Sequence, residues 1–90
     1  MLKLITSDVE YLKYSLDIAG NQYYLEIFGL GGGQDMYPFI EKYPQFFVWN
    51  EDLQMPELTS DEGLSLDILR EAKSLTFGSL VILDSEGEEI

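Results

Sequence analysis

Apolar and polar residues alternate strictly along residues 11–18. Leu12, Tyr14, Leu16 and Ile18 take the even positions, with Lys13, Ser15 and Asp17 between them. A period of two describes a strand with one face buried. The run Ala19-Gly20-Asn21-Gln22 follows, in which Gly and Asn tolerate the positive φ of a tight turn. Residues 23–28 are then rich in aromatic and β-branched side chains, so the pattern predicts a hairpin over 11–28. Residues 2–6 fit a short strand or a lead-in to it.

Gly29-Leu30-Gly31-Gly32-Gly33 reads as a flexible connector. Beyond it Asp35 is placed to cap a short helix, with Pro38 in its first turn and Ile40 and Tyr43 on one face. Pro44 should end that helix, because proline disfavours a helical residue before it. Phe46, Phe47, Val48 and Trp49 read as a buried strand, and residues 50–59 as a loop holding Pro56. Thr59 and Glu62 have the spacing of a capping box. Leu64, Ile68, Ala72 and Leu75 then share a helical face, while Leu64, Leu66 and Ile68 also alternate as a strand would. The good helix formers of residues 68–75, with Arg70 and Lys73 towards the C-terminal end, favour the helix. Residues 80–83 read as a strand, Gly87 as its turn and 88–90 as a short returning edge. The expected architecture is α+β: one compact domain over residues 1–90, with a single antiparallel sheet of about four to five strands packed with two helices.

Charge narrows the function. Seventeen acids against five bases give a net charge of −12 over ninety residues, while 46% of the residues are hydrophobic. That apolar content argues for a folded core and against disorder. Lys3, Lys13, Lys42, Arg70 and Lys73 are too few and too dispersed to neutralise phosphates, so direct nucleic-acid binding is not expected. An anionic membrane surface would repel the chain for the same reason. A basic protein surface would attract it. No segment has the apolar length of a membrane span, and the opening residues lack the apolar stretch of a secretion signal. With no cysteine, the chain fits a reducing, cytoplasmic setting.

The side-chain inventory bears on catalysis. Without His or Cys there is no thiolate–imidazole zinc site, no Ser-His-Asp triad and no Cys-His pair. The glycine run lacks the Gly-Lys-Ser/Thr of a phosphate loop and is followed by Gln34 and Asp35. Residues 84–89 are acidic but do not match the spacing of a calcium-binding EF-hand loop. Neither catalysis nor a cofactor or metal is expected.

The segment Leu80-Val81-Ile82, Asp84-Ser85, Gly87-Glu88 and Ile90 resembles the closing hairpin of the phage uracil-DNA glycosylase inhibitors, small acidic proteins that mimic DNA. The likeness spans eleven of ninety residues and carries over no functional residue. It implies the class of acidic inhibitors.

Two features suggest where a partner would bind. Residues 51–90 hold eleven acids and two bases, net −9, against net −3 for residues 1–50. Glu51, Asp52, Glu57, Asp61 and Glu62 concentrate before the long helix, and Asp67 and Glu71 continue along it at i, i+4 spacing, which costs a few tenths of a kcal/mol, on the order of 0.3, by repulsion. Tyr37, Phe39, Tyr43, Phe46, Phe47 and Trp49 crowd into thirteen residues. Most of these should fill the core, with Trp49 and Tyr43 as candidate anchors on a partner. The expectation is an inhibitor or immunity-type neutraliser that occupies a basic site, for example on a nuclease or another nucleic-acid enzyme, with carboxylates standing in for phosphates. The alternative is an accessory subunit docking through an aromatic surface, its acidity serving solubility. A homodimer paired along the edge of the first hairpin is compatible with either.

Overall fold

The computed structural model describes residues 2–8, 11–28, 36–52 and 54–90. Strands β1 (Lys3–Asp8), β2 (Tyr11–Ile18), β3 (Asn21–Phe28) and β6 (Leu80–Leu83) form an antiparallel sheet in the order β1-β2-β3-β6. Helices α1 (Tyr37–Lys42) and α2 (Leu66–Leu75) accompany a second, two-stranded sheet of β4 (Phe47–Asn50) and β5 (Met55–Leu58). The α+β class is as the sequence pattern predicts, with two of the strands set apart from the main sheet.

The alternation in β2 works as read: Leu12, Tyr14 and Leu16 are buried, and Lys13 and Ser15 face away. Ile18 pairs with Asn21, so only Ala19 and Gly20 remain in the loop, at φ 53° and 84°. Two positive φ values make a type I′ turn, whose twist matches the strands it joins. β1 is a full edge strand with an irregularity between Leu4 and Thr6 that turns Ile5 out to solvent.

One face of the sheet carries the core. Leu12, Tyr14, Leu16, Leu25, Ile27, Leu80 and Ile82 meet Phe39 from α1, Leu69 and Ala72 from α2, Phe46 and Leu58. Phe46 sits in a single 3-10 turn, Pro44–Phe46, which separates α1 from β4 as Pro44 predicts. The glycine connector and Asp35 lie outside the described residues, and Met36 occupies the N-cap position of α1. α2 starts later than the Thr59–Glu62 spacing suggests. Gly63, at φ 81°, turns the chain, and Ser65 caps the helix by accepting a hydrogen bond from the Ile68 N–H at 3.2 Å.

The two sheets are joined by a hydrogen bond from the core. The Thr59 N–H donates to the Phe46 carbonyl at 2.8 Å, which makes Phe47–Leu58 a non-hydrogen-bonded pair. The Leu58 N–H therefore points away from β4 and donates to the Tyr14 hydroxyl at 3.2 Å. Burial pushes the Tyr14 pKa up, so the phenol stays neutral. Tyr14→Phe leaves that buried N–H without a partner and is expected to cost about 1–3 kcal/mol. Urea melts read the loss, and hydrogen exchange should speed first at Leu58.

Candidate functional site

The β4–β5 hairpin carries four of the nine residues predicted to meet a partner, Trp49, Glu51, Asp52 and Glu57. At its base Leu58 is buried, and Phe47 packs edge-on against Phe39 with ring centroids 5.0 Å apart. Two residues further out the support ends: Trp49, on the same side of the ribbon as Phe47 and opposite Pro56, is 52% exposed. On the other side Val48 is 60% exposed and stands opposite Glu57, whose carboxylate accepts a hydrogen bond from Asn50 Nδ2 at 2.7 Å. Glu51 and Asp52 turn the chain at the exposed tip. A two-stranded ribbon packed only at its base must leave its outer half in solvent. The run 46–49, read from sequence as a buried strand, is therefore half surface, and residues 55–58 of the expected loop are its second strand.

Asp61 and Glu62 follow the hairpin in the turn leading to α2. The Asp61 carbonyl accepts from the Leu64 N–H at 3.0 Å, and Glu62 is exposed. Asp67 is exposed in the first turn of α2, where a negative charge suits the helix dipole.

Glu71 and Tyr43, both proposed from sequence as partner contacts, are occupied by the fold. The Tyr43 hydroxyl donates to Glu71 Oε2 at 2.6 Å, and Lys42 donates to the other carboxylate oxygen. The Tyr43 ring packs against the core and lies 5.9 Å from that of Phe46. Glu71 thus ties α2 to α1. The Lys42 charge beside it offsets the repulsion from Asp67 that the i, i+4 spacing implied.

Other exposed apolar groups escaped the sequence reading. Phe77 is 87% exposed and sits just past the Thr76 C-cap of α2 at φ 55°, a left-handed position that glycine normally takes. Its signal was a Phe-Gly pair directly after the helix, with the glycine one position late. Phe77→Gly removes the backbone strain and gives up almost no burial, so it is expected to stabilise the fold by about 1 kcal/mol, read as a higher melting temperature.

The sheet face opposite the core carries Tyr11, Lys13, Ser15 and Asp17 from β2. Gln22, Tyr24, Glu26 and Phe28 come from β3, and Val81 and Leu83 from β6. None of these is buried. Their polar groups pair with one another: Tyr11 donates its hydroxyl to Glu26, and Lys13 Nζ lies 5.0 Å from the centre of the Tyr24 ring. Desolvation, then the Glu26 carboxylate, push the Tyr11 pKa up to about 12, so its proton stays on the donor.

Among the described residues no helix is long and apolar enough to cross a membrane. No family model, curated protein or solved structure matches this chain.

Proposed function

We propose that the protein is an acidic inhibitor or neutraliser that inserts its β4–β5 hairpin into a basic site on another protein, with a nucleic-acid enzyme as the partner class. The observation that carries this reading is the coincidence, on one ribbon, of exposed Trp49 and Val48 with exposed Glu51 and Asp52. Tryptophan is a strong interface anchor, and carboxylates around it suit a cationic cleft built for phosphates. Glu57, Asp61, Glu62 and Asp67 extend the negative field along the following chain. Tyr43 and Glu71 hold the framework in place of contacting the partner.

The test is inhibition of a panel of basic nucleases by the intact protein, with association rates followed as ionic strength rises. Steering by carboxylates requires rates that fall steeply with salt. Rates indifferent to salt would count against it. The accessory-subunit reading draws on Phe77, the most exposed large apolar side chain among the described residues. It requires that Phe77→Gly weaken partner binding while neutralised hairpin acids leave it intact.

A further inference from the structure

We propose that the outward face of the main sheet, left open by the described residues, binds a second copy of this chain, giving a two-fold dimer in which both β4–β5 hairpins point away from the contact. An open antiparallel sheet normally presents polar residues to water. Here Tyr11, Tyr24, Phe28, Val81 and Leu83 occupy outward positions, alternating with the core residues of their strands. On a chain of net charge −12, little of that charge falls on this face: the register sets Lys3 and Lys13 there against Asp8, Asp17 and Glu26, and Glu89, bridged to Leu83 at the edge, is paired with Lys73. Lys13 and Glu26 already engage aromatic neighbours, which lowers the cost of drying the face.

The register makes the face complementary to itself. Cross-strand partners share a side of the sheet, and β2 and β3 pair Tyr11 with Phe28, Lys13 with Glu26, Ser15 with Tyr24 and Asp17 with Gln22. Consider a dyad lying in the contact plane and running between β2 and β3. It lays each β2 over the β3 of the second copy, so every cross-strand pair becomes a contact between copies: aromatic on aromatic, lysine on glutamate, serine on tyrosine, aspartate on glutamine. The same operation sets β6 over β1. Val81 then meets Thr6, the partner of Lys13, and Leu83 meets the aliphatic stem of Lys3, the partner of Ser15. Two twisted sheets stacked this way are an ordinary aligned packing. Strands of six, eight, eight and four residues offer about 400 Å² in projection, which makes this a small, weak contact among specific interfaces, with a dissociation constant of roughly 1 µM to 1 mM. A second copy fits better than a basic partner here, because a cationic surface would find little net charge to meet.

Sedimentation equilibrium of the intact protein over that concentration range tests the dyad. A monomer–dimer equilibrium is expected. Lys13→Glu, which sets glutamate over the Glu26 of the second copy, should weaken it on the order of tenfold or more, and the double variant Lys13→Glu/Glu26→Lys should restore it. Leu83→Lys, facing Lys3 of the second copy, should weaken it similarly. All of these positions are half-buried on the outward face and outside the core, and circular dichroism melts confirm folding. Raising the salt should tighten the dimer, since two bodies of like charge repel, opposite in sign to the effect on a basic partner. A strict monomer throughout the range, or a dimer indifferent to both single variants, overturns the proposal. Neutralising Glu51 and Asp52 should leave dimerisation intact, so loss of inhibitor function and loss of the dimer are read separately.

Discussion

Phe39→Ala is expected to leave little of the protein folded. Phe39 has no solvent exposure and joins three parts of the molecule: α1, which carries it; the 3-10 turn and hairpin base, through its edge contact with Phe47; and the main-sheet core. Its ring also meets that of Tyr43 at 6.0 Å in a T-shaped arrangement. A buried Phe→Ala change costs about 3–5 kcal/mol. A ninety-residue domain has only about 5–13 kcal/mol to lose, and a small one sits towards the lower end. The loss is compounded because α1 has six residues and cannot hold its helical form without packing. Urea denaturation followed by far-ultraviolet circular dichroism is the suitable measurement. Trp49 is already half in solvent and its fluorescence would report little. Tyr37→Ala, two residues away on the exposed side of α1, should change stability by less than about 0.5 kcal/mol. A cost below about 1.5 kcal/mol for Phe39→Ala would mean that the core tolerates the cavity, contrary to the convergence of elements on this ring.

These contrasts show what a one-dimensional pattern can carry. Alternation in residues 11–18 states which side is buried, and the sheet obeyed it. Phe46-Phe47-Val48-Trp49 has no alternation, so the pattern said strand but could not say how far the core reaches along it. The core stops at Phe47. Pro56 disguised β5, since proline is unwelcome inside a sheet, yet a two-stranded ribbon is all edge and accepts it opposite Trp49. The acids were legible as a charge bias, but which of them the fold itself pairs was not. Glu71 meets Lys42 and Tyr43 from nearly thirty residues away, and only the packing of α1 on α2 brings them together. Ser65 won the helix cap from Thr59 because the turn at Gly63 lies between them. The weakly charged outward sheet face was present in the sequence at every odd position of β2, but its meaning depends on the register with β1, β3 and β6.

Glu51→Gln/Asp52→Asn is expected to slow association with a basic partner on the order of tenfold and to flatten its dependence on salt, with little change in the dissociation rate. Both side chains are exposed at the hairpin tip, ahead of Trp49, so they meet an approaching cationic surface first. At physiological ionic strength charges act over about 8 Å. Position should therefore matter more than total charge. Glu86→Gln/Glu88→Gln supplies the control. It removes the same two charges from the exposed turn after β6, where the Asp84 carboxylate accepts from the backbone N–H groups of residues 86 and 88 and keeps the turn in shape. If the hairpin leads the encounter, the tip variant slows association several-fold more than the control. Trp49→Ala should act on the other rate, raising dissociation by the equivalent of about 2 kcal/mol or more, because an anchor works after contact is made. Equal slowing by the two charge variants would mean that the partner senses only the net charge of the molecule, and the hairpin would lose its claim to be the inserting element.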